Sequence, residues 1–400
     1  MVLLADAQVF RNGKLKREDI LIDNGTIVSV GNVKPPNSID RVVRLQGCVI
    51  SPGFCDVHVH LREPGFSYKE TIETGTEAAA RGGYADVCAM PNVNPVPDSR
   101  EHLRVSLDAF RRGSVRVHAV GSITVSEAGE RLSDMEALAP HVVGFSDDGK
   151  GVQSEELMRK AMELARRIDR PVMAHTEDDT ADFSQSEWRQ IERDIRLVRE
   201  TGCQYHVQHV SCAKSVELIR AAKLEGLRVT CETAPHYLCL SDDGIEDDGR
   251  FVMNPPIRSK RDQTALIEAL ADGVIDIIAT DHAPHSAEEK SRGFKGSVKG
   301  VVGLETAFPV LYTKLVLRGF ISLERLLTML TDEPRKLIRK PLAIAEGSRA
   351  DITALELNTQ YTIDSSEFLS MGRATPFDGW RVFGRPIMTM LGGSIIYEKR

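Results

Sequence analysis

The sequence has no apolar run approaching the eighteen or so residues that a membrane-crossing helix needs. Its first ten residues, Met1–Phe10, lack a basic segment followed by an apolar one, the pattern of a secretory leader. It has no excess of basic residues either. The formal charge is −7, which argues against a general binder of nucleic acid or of an anionic membrane surface. Seven cysteines are present, an odd number without zinc-finger or disulfide-framework spacing, so buried thiols in a reducing cytoplasm are expected. No Gly-rich phosphate loop follows the first core strand, and no G-x-S-x-G elbow occurs. Repeats and low-complexity segments are absent too.

What is present is an ordinary globular composition, 42% hydrophobic and 27% charged over 400 residues, enough for one large domain with a smaller companion. Both ends read as short strands and turns. Asn24-Gly25 sits between alternating apolar residues, the strongest short hairpin signal, and Gly392-Gly393 marks a similar turn. One small β-sandwich domain built from 1–52 plus 345–400 is expected. Between the ends, apolar strands alternate with helical stretches: "CVISPGFCDVHVH", "YADVCAMPN", "VRVHAVGSI", "HVVGFSDD", "PVMAHTED", "YHVQHVS", "RVTCETAPH" and "DIIATDHAPH". In "SEELMRKAMELARRI", Leu157, Ala161, Leu164, Ala165 and Ile168 share a face, with Ser154 placed to cap. Eight alternations predict an α/β fold, a (β/α)8 TIM barrel over 53–344.

In such a barrel the site lies at the carboxyl ends of the strands. His58, His60, Asp147, Asp148, His175, His209, Asp281 and His285 each end an apolar run. Imidazoles with carboxylates and no thiolate favour zinc, with manganese, cobalt or iron as alternatives. His206 and His209 compete for one role, three residues apart on a strand; strand-end position favours His209. Asp56 is expected to brace a histidine or the backbone, and His236 to lie beside the site or in the core. His102, His118 and His141 are read as structural or surface. A carboxylate at Asp281 facing a metal is suited to shuttle protons, and the metal makes water nucleophilic near neutral pH. The chemistry is metal-dependent hydrolysis at a carbonyl, or its reverse.

The segments "DVHVHLREPG", "MPNVNPVPD", "FSDDG", "HVQHVS", "MNPPIR", "ATDHAPH" and "GLETAF" resemble, in order and spacing, the dihydroorotase family of the amidohydrolase superfamily. The likeness extends to "EGSRADI" and "ATPFDGW" near the end. It implies reversible cyclisation of N-carbamoyl-L-aspartate to L-dihydroorotate, a step of pyrimidine synthesis. It also implies His58, His60 and Asp281 on one metal, His175 and His209 on a second, and Asp281 as general acid/base. Arg62, Asn92 and His285 would hold the substrate carboxylate, with Asn254 against the ring. A guanidinium forks onto a carboxylate bidentately, which gives Arg62 its own physical warrant.

Many relatives bridge their metals with a carbamylated lysine. Here "GFSDDGKG" resembles the branch with an aspartate instead, and Asp148 sits nearest that position, with Asp147 and Lys150 as the alternatives. One or two ions are implied. The loop "SAEEKSRGFKGSVKGVV" (286–302) is lysine-bearing where relatives carry an apolar Ala-Pro segment. Two other functions compete: a hydantoinase, dihydropyrimidinase or allantoinase type of cyclic amidohydrolase, and a non-catalytic scaffold for aspartate transcarbamoylase. Arg62 and the absent lysine favour the first reading. Expected partners are the small-molecule substrate, aspartate transcarbamoylase and further copies of the chain.

Overall fold

The computed structural model describes residues 1–34 and 39–399. Eight parallel strands form the barrel: β1 Phe54–Val59, β2 Tyr84–Ala89, β3 Arg116–Ala119 resuming at Gly121–Ser122, β4 Phe145–Ser146, β5 Val172–Ala174, β6 Tyr205–Val207, β7 Val229–Thr233 and β8 Ile277–Ile278. Each pairs with the next in parallel. A parallel bridge between Val59 and His282 closes the ring, with His60 N donating to His282 O at 2.8 Å. Asp56 reinforces the seam. Its carboxylate accepts from His58 N at 3.0 Å and from Thr280 N at 3.1 Å, so it braces backbone on both sides of the closure, as the sequence led us to expect.

The run from Cys48 to His60, expected as one strand, is two. Cys48–Pro52 pairs with Val2–Arg11 and Ile352–Glu356, and the chain then turns at Gly53 into β1. A side chain at Gly53 would meet Ala85 Cβ at 2.5 Å, so only glycine lets β1 enter the barrel this close to β2.

The chain ends form one eight-stranded sheet. It includes the expected hairpins Lys14–Asp23/Thr26–Gly31 and Arg385–Leu391/Ser394–Glu398. The sheet folds over a core of Leu4, Ile20, Ile50, Ile352, Met388 and Met390. Its two hairpin turns touch: a Cβ on Gly393 would lie 2.5 Å from Gly25 Cα.

The crossover helix Glu155–Arg167 is capped by Ser154, which accepts from Leu157 N at 3.2 Å. Its buried residues are Met158, Ala161, Met162 and Ala165. Ala161 and Ala165 of the expected face are buried, joined by Met158 and Met162 in place of Leu157, Leu164 and Ile168. Methionines, flexible gap-fillers, face the strands, while Leu157, Leu164 and Ile168 pack at the edges of the same core.

Asp86, on β2, joins the barrel to the end sheet. It accepts from Arg116 (2.8 and 2.9 Å), Arg335 (2.7 Å) and His118 (2.9 Å), and Arg116 also reaches Asp351 at 2.7 Å. Burial opposes its ionisation, but His118, Arg116 and Arg335 more than offset that and hold its pKa far below the ordinary carboxylate value. Removing one member of a buried ionic cluster strands the others. Asp86→Ala is therefore expected to lower unfolding stability by about 3–5 kcal/mol in a denaturant titration at pH 7. Because the folded-state pKa is depressed, Asp86's contribution is present above its unfolded value near 4 and is lost as pH falls below it. The gap between wild type and variant should therefore narrow in acid.

Candidate active site

β1 ends with His58 and His60 on one face, their ring centroids 5.4 Å apart. Asp148, just past β4, lies between two groups of donors. His58 Nε2 is 3.2 Å from Asp148 Oδ1, and His60 Nε2 is 3.3 Å from Oδ2. On the other side, His175 Nδ1 and His209 Nε2 lie 3.6 and 3.8 Å from Oδ1. Asp281, beyond β8, faces the first group, its Oδ1 3.5 Å from His58 and 3.2 Å from His60.

All six residues are buried, and three of their polar atoms have no hydrogen-bond partner among the described residues. His58 Nε2 and Asp148 Oδ1 make no hydrogen bond among the described residues, and His175 Nδ1 points at His209 Nε2 at 2.9 Å. Converging imidazole nitrogens and carboxylate oxygens of this kind fit divalent ions. Two sets of three, His58/His60/Asp148 and Asp148/His175/His209, each place their donor atoms within 4.8 Å of one another. Asp148 is common to both.

The electrostatics agree. Burial opposes charge on Asp148, yet His58, His175 and His209 hold it well below the ordinary carboxylate pKa. Burial likewise opposes charge on His58, but Asp148, Asp281 and Glu232 carry its pKa well above the usual value.

Asp147 and Lys150 line the same cavity, but their side chains are engaged with the loop after β3. Asp147 accepts from Ile123 N (2.7 Å), Thr124 N (3.0 Å) and the Thr124 hydroxyl, securing the loop after β3. Lys150 Nζ reaches Glu127 O at 3.5 Å. Three site residues adopt positive φ: Arg62 (62°), His209 (35°) and Asp281 (48°). Such backbone strain persists where the surroundings over-determine it, and it gathers at functional sites.

Two acids escaped the sequence reading. Glu232, buried in β7, sits 2.6 Å from His58 Nδ1 and 3.0 Å from His206 Nε2. It fixes His58 so that Nε2 faces Asp148. Its signal was an acid inside an apolar strand. His206 thus points into the barrel interior as well as His209. The β6 ladder ends at Val207 and His209 takes positive φ, so strand alternation no longer separates the two. Glu177 lies 3.0 Å from His175 Nε2 and accepts from Asn254 Nδ2 at 2.8 Å. The His175 contact pulls Glu177 down to about 2. His236 is buried beside Tyr237, ring centroids 4.2 Å apart, and burial lowers it to about 4.

A cavity of 590 Å³ opens over these groups, lined by Arg62, Asn92, Asn254 and His285 among others. Asn92 is engaged with the donor groups: its Oδ1 lies 2.8 Å from His60 Nδ1, and its Nδ2 donates to Asp148 at 3.3 Å. Arg62 donates to Pro284 O at 3.0 Å, and its Nη2 lies 3.2 Å from His285 Nε2, which itself donates to Lys299 O at 2.8 Å. It is buried and makes no ion pair among the described residues; burial lowers its pKa to about 10. Arg62 and Lys69 hold neighbouring His285 neutral, its pKa depressed by burial and by both cations to about 3.

The lysine-bearing loop is tied to the mouth. Buried Lys290 donates to Val252 O (3.0 Å), Val298 O (2.7 Å) and Gly300 O (2.7 Å), and Lys299 reaches Asn254 Oδ1 at 3.3 Å from the cavity wall.

A closed parallel barrel carries histidines and aspartates at its carboxyl mouth, flanked by a sheet from both chain ends, and comparison with relatives and solved structures places the chain among the cyclic amidohydrolases. Among solved structures, L-hydantoinase (dihydropyrimidinase) from Arthrobacter aurescens superposes with a TM-score of 0.89 at 26% identity, covering 100% of this chain and 96% of that one. Dihydropyrimidinase from Brevibacillus agri shares the fold at a TM-score of 0.88 and 23% identity, with 99% and 95% covered. Sequence relatives narrow the class. The protein named dihydroorotase from Geobacillus sp. (strain WCH70) is 44% identical, covering 100% of this chain and 99% of its own length. That of Bacillus cytotoxicus is 44% identical over 98% of both. A family profile described as Dihydro-orotase-like matches residues 47–186. The chain belongs to the dihydroorotase family.

Proposed function

We propose that this chain catalyses the reversible cyclisation of N-carbamoyl-L-aspartate to L-dihydroorotate and water, in pyrimidine biosynthesis. The observation that carries the substrate class is Arg62: a buried guanidinium without an acidic partner on the wall of the cavity. Leaving a charge unpaired in a protein interior is costly, and an incoming carboxylate supplies the missing partner. Hydantoin-type substrates lack that carboxylate.

In this reading His58, His60 and Asp281 would hold one divalent ion and His175 and His209 another, with Asp148 available to both sets; zinc would suit the donors, as would manganese or cobalt. When bound, such an ion supplies Lewis acidity that polarises the carbonyl and lowers the pKa of water. The protein's own part is positional and protonic. Arg62 and His285 grip the substrate carboxylate, and Asn254 lies against the ring beside Lys299. In ring closure the ureido nitrogen forms a bond to the side-chain carboxyl carbon, and a C–O bond breaks. Asp281 takes the proton from that nitrogen and delivers it to the departing carboxylate oxygen, which takes a second proton from solvent and leaves as water. Ring opening runs the same steps backwards. Burial disfavours charge on Asp281, but His58, His60 and His209 keep it ionised and able to accept the proton.

The catalytic unit is read as 53–344, with 1–52 plus 345–400 as the small β domain. No helix among the described residues is long and apolar enough to cross a membrane, and seven unpaired cysteines suit a reducing cytoplasm.

Purified protein assayed for metal content and for turnover of dihydroorotate, hydantoin and allantoin tests the reading. Brisk hydantoin turnover without dihydroorotate turnover would overturn it. Arg62→Gln is expected to reduce kcat/KM for dihydroorotate about 100-fold, mostly through KM, the scale of a lost charge-assisted pair of hydrogen bonds. Arg62→Lys should recover only part of this, because an ammonium lacks the planar fork.

A further inference from the structure

The loop after β3 brings a carboxyl group to the cavity that the mechanism above leaves idle. Ser126 and Glu127 both take positive φ, 54° and 51°, a region unfavourable to residues with a Cβ. Their surroundings enforce it. Asp98 accepts from Ser126 N at 2.9 Å, Glu127 N bonds Thr124 O at 3.2 Å, and Asp147 secures Thr124 in turn. Lys150 caps Glu127 O.

This framework sets Glu127 on the wall of the same cavity as Arg62. The residue is only 7% exposed, and its Oε1 is buried with no partner among the described residues. Buried polar atoms are nearly always satisfied, so an orphan on a cavity wall calls for a ligand. The other acids there are committed. Asp147 serves its loop, Asp148 and Asp281 face imidazoles, and Glu177 is bonded to His175 and Asn254; Asp179 is exposed at the rim. Arg62 and His285 answer the substrate's carboxylate. Its ureido N–H groups need an acceptor.

We propose that Glu127 is a specificity-determining residue that accepts a hydrogen bond from a ureido N–H of the substrate, so that the cavity distinguishes ureides from plain dicarboxylates. This rests on the carbamoyl-aspartate reading of the site.

The test uses metal-loaded wild type, Glu127→Ala and Glu127→Gln. It measures kcat and KM for dihydroorotate and for N-carbamoyl-aspartate, and competitive inhibition by succinate, which has two carboxylates and no N–H. Burial, with Asp147 and Asp148 nearby, raises the pKa of Glu127 well above the ordinary carboxyl value, so Glu127→Ala is expected to raise KM for both substrates about fivefold, the scale of one lost hydrogen bond to a neutral group, with kcat within about threefold. The succinate inhibition constant should stay within about twofold. Glu127→Gln, which keeps a carbonyl acceptor, should restore most of the loss. An unchanged KM in Glu127→Ala would overturn the proposal. Equal weakening of succinate would overturn it as well, since that would mean the wall had collapsed. A wild type that binds succinate but turns over neither ureide would remove the functional reading itself, and the proposal with it.

Discussion

Asp148→Asn is expected to keep its fold, to purify with little or no metal at either donor group, and to lose at least about 10³-fold in dihydroorotate turnover. The reason is geometric. Among the described residues Asp148 is the one within ligand reach of His58 and His60 on one side and of His175 and His209 on the other. Asparagine has the same shape but no charge, so two sets of imidazoles lose their shared anion together. The substitution also removes a charge that raises the pKa of His58 and that, once burial is overcome, helps lift His175 to about 9. Asp147→Asn is the control. Its carboxylate is spent on Ile123 and Thr124, so that variant should keep its metal and lose thermal stability instead. Metal analysis after gel filtration, with circular dichroism to check folding, separates the cases. Full metal retention in Asp148→Asn would refute the bridging role.

His58 and His60 were legible as residues ending an apolar run, and strand geometry gives such positions a period of two. Arg62 lies beyond the end of β1 at Val59 with positive φ, and it reaches the cavity wall by that turn of the backbone. The choice between Asp147 and Asp148 was not legible. Both follow the same short strand, and only the position of Thr124 on a neighbouring loop shows which carboxylate is taken. Glu232 and Glu177 stayed hidden for a related reason: each acts through a histidine distant in sequence, and their pairing exists only once β1, β5 and β7 are side by side. The barrel could be read from eight apolar runs. The break at Gly53 could not, because it depends on Ala85 sitting against it. Nor could the orientation of the helix Glu155–Arg167, where methionine and leucine were near-equal claimants to the buried face.

Asp281→Asn is expected to lower kcat by about 10²–10⁴, the range for loss of a positioned acid/base, while Asp148 and the four histidines still retain much of the metal. The pH dependence distinguishes the two roles of this carboxylate. His58, His60 and His209 keep Asp281 ionised, its pKa below the ordinary value despite burial, so its own protonation lies below the pH of any neutral assay. The histidines behave differently. His58 and His175 bind protons more tightly than free imidazole, and a proton on a donor nitrogen competes with metal. As pH falls, protons displace metal, so the acid limb of the wild-type rate profile should move to lower pH when more metal is supplied. A limb set by Asp281 would stay where it is. In Asp281→Asn the rate should be low at every pH, yet its acid limb should still shift with metal concentration. Rate profiles of both proteins at two metal concentrations decide the matter. A wild-type limb indifferent to metal would place the titrating group at Asp281 and contradict the low pKa that its neighbours impose.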